Sequence, residues 1–245
     1  MTQKTQNIVS KVNSMLNVDL QNNKTLWLSE RKTLMKLVGV LGMLLPILIY
    51  GFLRWSTEHI EVLESISHYY YTRSNPIFII IISLLAIFLM IYKYEKPIDF
   101  YLSFFAGFAA LIVLLLPTSS IIVKCDDFCN DYIMSFLEKN KFRVWTHYIA
   151  AAIFLGILNY MCFFLFTKTD PSLVKTEMKI KRNKVYIFCG SVMTLALIVI
   201  LLGTVNVIDP DFYIDNNLTF WMESLAVEAF GFSWLVKGGF ILKDK

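Results

Sequence analysis

Positions 185–208 read VYIFCGSVMTLALIVILLGTVNVI, and no residue in this run is charged. A helix needs about 20 mainly apolar residues to cross the roughly 30 Å hydrocarbon core of a bilayer. The apolar residues are continuous rather than alternating with polar ones, which favours a helix over a barrel strand. The run therefore predicts a transmembrane helix.

Five more apolar runs lie along the chain, so the sequence predicts an all-α, polytopic membrane protein with a bundle of six transmembrane helices. Of the 245 residues, 56% are hydrophobic and 17% are charged. Soluble domains carry about 25% charged residues, so an ordinary cytosolic enzyme, a disordered chain and a secreted disulfide scaffold are excluded. The predicted spans are Leu34–Leu53, Pro76–Tyr92, Ile98–Leu116, Trp145–Phe166, Val185–Ile208 and Thr219–Val236.

The distribution of positive charge predicts the orientation. If the N-terminus is cytoplasmic, 17 of the 23 Lys and Arg residues fall in inner segments and six in outer ones. Positively charged loops stay in the cytoplasm, so both termini of this multi-pass protein are expected inside a bacterial inner membrane. Residues 1–32 are then a cytoplasmic tail with a candidate amphipathic helix, and residues 33–242 are the six-helix domain. The net charge of +4 comes from the inner loops, so no nucleic-acid partner is expected.

The motifs of soluble enzymes are missing from the sequence. It has no Walker A loop, dinucleotide-binding glycine pattern, His-Glu-x-x-His motif or Gly-x-Ser-x-Gly elbow. No cofactor, catalytic set or metal site is therefore assigned. Cys125 and Cys129 share an outer loop, where an oxidising compartment permits a disulfide. The same pair without further ligands is only a weak metal signal.

Polar residues near the outer ends of the spans predict a ligand-binding pocket. His68, His147 and Glu223 have similar predicted depths and converge if their spans are neighbours. Two histidines and a glutamate are the smallest set for an open zinc site, but here they come from distant helices. The three consecutive tyrosines would border the pocket or form an aromatic belt at headgroup level. The predicted ligand-binding residues are Ser67, His68, Tyr70, Tyr71, His147 and Glu223.

Three further polar side chains lie inside the predicted spans, where ionisable groups are costly. Glu228 is near the middle of the bilayer, where it would line a proton or cation path or pair, as a neutral acid, with Asn159 or a threonine. It is five residues from Glu223, which places the two about 140° apart around a helix. Asp99 opens the third span, where a carboxylate would cap the helix N-terminus.

An ordered set of short motifs resembles a family of bacterial six-span membrane proteins. The set covers residues 34–239 and includes Ser65-Ile66-Ser67-His68-Tyr69-Tyr70-Tyr71-Thr72, His147-Tyr148-Ile149-Ala150 and Phe220-Trp221-Met222-Glu223. The group is similar to the Frag/DRAM/Sfk-like families, which implies a six-helix fold. It also resembles, more distantly, the CREST superfamily of intramembrane hydrolases and receptors. That resemblance implies lipid hydrolysis at zinc with Ser67, Asp99 and His147 in candidate positions, although Glu223 stands where paired histidines are expected.

Three functions are consistent with these observations. The first is a non-enzymatic membrane protein that binds a lipid or a small hydrophobic ligand in an outward-facing pocket. The second is an oligomeric channel or membrane effector, for example in a defence system, in which a second copy of the chain is the partner and Glu228 faces water or an interface. The third is a metal-dependent intramembrane lipid hydrolase. The lipid bilayer is a partner in all three.

Overall fold

The computed structural model describes residues 31–92, 97–121, 132–169 and 176–243. These ranges fold into helices, and a single isolated antiparallel bridge joins Thr72 to Ile133. The elements in chain order are α1 (Arg31–Ser56), a 3₁₀ helix (Ile66–Tyr71), α2 (Asn75–Ile91), α3 (Pro97–Leu115), α4 (Lys141–Tyr160) with a π-helical turn (Met161–Leu165), α5 (Glu177–Thr204), α6 (Pro210–Asp215) and α7 (Leu218–Lys237). The disulfide candidates Cys125 and Cys129 and the predicted amphipathic tail lie outside the described residues.

Four described segments are long and apolar enough to cross a membrane, and α2 is a shorter apolar helix. The outer faces of these helices carry large apolar side chains. Ile47 and Ile80 are each 57% exposed, and Leu195 is 63% exposed. A surface of this composition suits lipid rather than water, in agreement with the membrane class predicted from composition. The four segments are Lys32–Ser56, Pro97–Leu115, Lys141–Leu165 and Glu177–Thr204.

The fifth predicted span is displaced along the chain. It was expected at Val185–Ile208, whereas α5 runs from Glu177 to Thr204. The helix stops early because Asn206 takes a left-handed φ of 57°. Just beyond it, the side chain of Asp209 accepts the backbone N–H of Phe212 and starts α6. Local capping chemistry therefore overrides the apolar run at this point.

Helix α7 is the central helix of the bundle. It packs against α1 and α5 and also contacts α4. Ten of its 20 residues are buried. Gly39 and Gly42 of α1 lie against Gly231 of α7, which lets the two backbones approach closely. Helix α7 is not among the four segments above, and it carries two acidic residues, Glu223 and Glu228.

The other helices follow one another around the bundle: α1 packs on α2, α2 on α3 and α3 on α4. Trp55, Trp145 and Trp221 are 82%, 60% and 52% exposed, whereas Trp234 is 1% exposed. It packs against the rings of Tyr92, Phe166 and Phe230, at centroid distances of 5.3, 5.4 and 5.8 Å.

Candidate functional site

The 3₁₀ helix between α1 and α2 carries four of the six predicted ligand-binding residues. It contacts α1, α2 and α7. Ser67, His68 and Tyr71 are buried in it, and Tyr70 is half-buried with its ring edge-on to that of Tyr71, 5.3 Å between centroids. The segment is therefore part of the interior at this end of the bundle rather than an exposed loop.

Ser67 and His147 meet at the centre of this cluster. The Oγ atom of Ser67 lies 3.0 Å from Nε2 of His147. The other ring nitrogen, Nδ1, lies 2.9 Å from the carbonyl oxygen of Leu116 and 3.2 Å from that of Val113. Carbonyl oxygens only accept, so Nδ1 carries the proton, and in the neutral ring Nε2 accepts from the Ser67 hydroxyl. The end of α3 thus sets the tautomer of a buried Ser–His pair.

Glu223 ties α7 to the 3₁₀ helix. Its Oε2 atom accepts the backbone N–H of Ile66 at 2.7 Å. Ile66 is the first residue of the 3₁₀ helix, so this N–H has no partner within the helix itself. In return, the backbone N–H of Phe220 in the first turn of α7 donates to the carbonyl of Glu64 at 2.9 Å. The two helix N-termini therefore cap each other.

His68 adds a neutral hydrogen-bonding group. Its Nδ1 atom lies 3.0 Å from the Oγ of Ser65, and its Nε2 lies 3.9 Å from a carboxylate oxygen of Glu64. Burial lowers the pKa of His68 to about 4, so the ring is uncharged at pH 7. The Glu64 side chain is 66% exposed, and its contact with the neutral ring is not an ion pair at that pH.

Tyr71 and Arg143 extend the cluster towards the end of α3. The Tyr71 hydroxyl donates to the carbonyl of Thr118 at 2.5 Å, and burial raises the pKa of this phenol. Arg143 donates from Nε to the carbonyl of Pro117 at 3.1 Å, and its buried Nη2 has no hydrogen-bond partner among the described residues. Arg143 was not among the site residues predicted from the sequence. Its position four residues before His147, on the same face of α4, was the available signal.

The predicted pairing of Glu228 with Asn159 is not formed. The Nδ2 atom of Asn159 donates instead to the Oγ1 of Thr194 at 2.8 Å, which joins α4 to α5. Glu228 is half-buried on α7. Helical spacing cannot show which neighbouring helix a polar side chain faces, and Asn159 faces α5.

Asp99 lies at the opposite end of the bundle from Ser67 and His147. It stands in the first turn of α3, which begins at Pro97, and both of its carboxylate oxygens lie 2.7 Å from Nζ of Lys168. The predicted N-cap is therefore a buried carboxylate in an ion pair. Val113, beside His147, is 14 residues further along α3, about 21 Å at 1.5 Å per residue. The Ser/Asp/His set implied by the CREST resemblance is not gathered at one place.

The described part of the chain has no group of three or more His, Cys, Asp or Glu side chains that could hold a metal ion. Within the site, Glu223 already accepts a hydrogen bond from Ile66, and Nδ1 of His147 is hydrogen-bonded at the end of α3.

No protein-family model matches this chain, and no curated protein or solved structure is significantly similar to it. The function is therefore inferred from the residues and their geometry.

Proposed function

We propose that this chain is a multi-pass bacterial inner-membrane protein with six spans, whose outer end binds a lipid or a small hydrophobic ligand. Four long apolar helices support the membrane class. Helices α2 and α7 would supply the remaining spans, because their 17 and 20 residues extend about 26 and 30 Å at 1.5 Å per residue. Slight tilting or local thinning of the bilayer accommodates the shorter one.

The charge distribution supports the proposed orientation. Lys32 at the start of α1, Arg182 near the start of α5 and Lys237 at the end of α7 line one cavity at the same end of the bundle. Exposed Trp55 and Trp145 lie at the other end. Because positive segments stay in the cytoplasm, the cationic end is the inner one, and both termini are cytoplasmic.

The single observation that carries the ligand proposal is the buried hydrogen bond between Ser67 and His147, formed where polar groups from three elements converge. A ligand with a hydroxyl, ester or amide oxygen would replace Ser67 or His147 as the hydrogen-bond partner of the other residue. His68 is neutral at pH 7. The buried Nη2 of Arg143 adds a donor for a ligand oxygen. These groups suit a lipid or small amphiphile, a mostly apolar molecule that carries a few polar atoms.

Native mass spectrometry of the detergent-solubilised protein, with extraction and identification of retained lipid, tests this proposal. Ser67→Ala removes the hydroxyl with little change in volume, and Glu223→Gln keeps an oxygen acceptor for Ile66 but removes the charge. Both variants should retain less ligand while staying folded. Ser191→Ala, on the exposed surface of α5, and Glu228→Gln, on the same helix as Glu223, are matched controls that should retain it. Equal retention in all four variants would contradict the proposal.

The same Ser–His hydrogen bond favours a second candidate function, serine-type hydrolysis of a lipid ester or amide. The Oγ of Ser67 would attack the carbonyl carbon while Nε2 of His147 takes the hydroxyl proton. His147 would then protonate the leaving alcohol or amine, and water would attack the acyl group on Ser67 to release the acid. The carbonyls of Val113 and Leu116 would orient the ring as the acid of a triad does. This reaction needs no metal ion.

A fluorophosphonate probe, which forms a covalent bond with activated serines, separates the two functions. Labelling of the wild type that is lost in Ser67→Ala and kept in Ser65→Ala would support hydrolysis. Ser65 is a suitable control because it is also buried and lies two residues away. Absence of labelling in the wild type, or equal labelling of the Ser67→Ala and Ser65→Ala variants, would reject hydrolysis.

A further inference from the structure

Arg143 lies at the edge of the outer cluster, in the first turn of α4. Its Nε donates to the carbonyl of Pro117 at 3.1 Å, and its buried Nη2 has no hydrogen-bond partner among the described residues. No carboxylate in the described part of the chain forms an ion pair with Arg143, since the acidic side chains that contact a basic one there are Glu64 and Asp99, whose contacts are His68 and Lys168. A guanidinium is always charged, and burying a charge without a counter-charge is costly. A ligand that brings negative charge to Nη2 would offset this cost.

The groups packed around Arg143 orient its guanidinium without neutralising it. The carbonyl of Pro117 carries only a partial negative charge. Burial raises the pKa of Tyr71 by more than the neighbouring charge of Arg143 lowers it, so the phenol is neutral at pH 7. The N-terminus of α4 is the positive end of its helix dipole, which adds to the positive potential at Arg143. An anion is therefore the complementary group at this position.

We propose that the ligand of the outer cluster is an anionic amphiphile whose oxyanion binds Arg143, supplied either by the phosphate of a phospholipid or by the carboxylate of a fatty acid. This inference rests on the function proposed for that site and names the class of its ligand. Arg143 and His147 are about one turn apart on α4, about 6 Å along the helix axis, so one ligand can contact both. The planar guanidinium suits the paired oxygens of a phosphate or carboxylate, and hydrogen bonds to such anions are stronger than those to neutral oxygens.

The test is native mass spectrometry of the full chain in neutral detergent, titrated with phosphatidylglycerol, oleate or diacylglycerol. Diacylglycerol keeps the two acyl esters of phosphatidylglycerol but has no charge, so the wild type should bind it more weakly than the preferred anion. Arg143→Gln should weaken binding of that anion at least about tenfold, the loss expected when one charge-assisted hydrogen bond is removed. The same variant should leave the affinity for diacylglycerol unchanged, which also shows that it is folded.

Lys141→Gln is the matched control, because it removes one positive charge from the same turn of α4 at an exposed position. If Arg143→Gln fails to fold, Arg143→Lys is the second variant. It keeps the charge but loses the planar fork, so it should retain only part of the preference for the anion.

The lipid that depends on Arg143 identifies the source of the anion, phosphatidylglycerol for a phosphate and oleate for a carboxylate. Equal affinity of the wild type for all three lipids, or an equal loss in Lys141→Gln, would overturn the inference. Ser67→Ala should weaken binding of phosphatidylglycerol and diacylglycerol alike, because both carry ester oxygens. If Ser67→Ala has this effect while Arg143→Gln has none, the proposed function stands and only the assignment of an anion fails. A wild type that binds none of the three lipids would overturn both.

Discussion

Replacing Gly39 of α1 by alanine should push α1 and α7 apart. A Cβ atom at Gly39 would lie 2.7 Å from the carbonyl oxygen of Gly231 and 2.7 Å from Cγ of Leu235. Ordinary contacts begin at 3.4 Å, so the helices must separate by about 0.7 Å, the difference between these distances. The Leu235 side chain can rotate away, but the Gly231 carbonyl is backbone and can move only with its helix.

Gly39→Ala should lower the stability of the protein because it overpacks the close contact between α1 and α7. Such substitutions destabilise by about 1–3 kcal/mol, and the gain in helix propensity from glycine to alanine returns up to about 1 kcal/mol. We therefore expect Gly39→Ala to lower the free energy of unfolding by up to about 2 kcal/mol. The matched control is Gly51→Ala in the same helix, where an added Cβ meets no atom within 4 Å. Only the propensity gain applies there, so this variant should be neutral or more stable.

The assay is unfolding in mixed micelles of dodecyl maltoside and dodecyl sulfate, followed by helical circular dichroism. Gly39→Ala should unfold at a lower fraction of dodecyl sulfate than Gly51→Ala. Glu223 is on the displaced helix, and its 2.7 Å hydrogen bond to Ile66 should weaken with the same shift. Gly39→Ala should therefore also reduce ligand retention at the outer end. A Gly39→Ala protein as stable as Gly51→Ala would refute the close approach of α1 and α7.

Three further predictions concern ionisable groups. Burial lowers the pKa of His68 from 6.5 to about 4, so between these pH values the unfolded chain binds more protons than the folded one. The contribution of the neutral ring to the free energy of unfolding should therefore be complete above pH 6.5. It should fall by up to about 3 kcal/mol as the pH drops towards 4. Unfolding midpoints measured against pH should lose this dependence in His68→Gln, and an unchanged slope would count against the buried neutral ring. A double-mutant cycle of Asp99→Asn and Lys168→Met should give a coupling of about 1 kcal/mol, modest because the Lys168 side chain is 42% exposed; a coupling near zero would show that the ion pair contributes nothing. If the protein is an oligomeric channel, Glu228→Gln should change ion flux into protein-containing liposomes, and identical fluxes would reject that hypothesis.

The sequence predicts that polar residues converge at one end of the bundle, but it does not predict how they bond. Residues at the same depth in different spans lie at the same end of a bundle, which is why His68, His147 and Glu223 were expected to converge if their spans are neighbours. The predicted depth of a residue along the membrane normal does not identify its hydrogen-bond partner. Glu223 binds the backbone N–H of Ile66, and every residue except proline has such a donor. The pair of Ser67 and His147 joins residues 80 positions apart.

The sequence does not show which way a side chain faces. Trp234, near the end of α7, faces inward to Phe166 and Phe230. Asn159 was one of the partners considered for Glu228, but it bonds Thr194. Depth along the membrane normal is encoded in the order of residues, whereas the direction in which a side chain faces depends on the neighbouring helices.

Membrane class and helix content follow from composition and apolar run length, because the transfer free energy of each segment is summed over its own residues. The order of helices within the bundle follows from shape complementarity, which no single segment contains. Only tertiary packing places α7 between α1 and α5, because the glycines that allow close approach belong to different helices. The same packing brings Ser67 to His147 at one end and gathers cations from three helix ends around one cavity at the other.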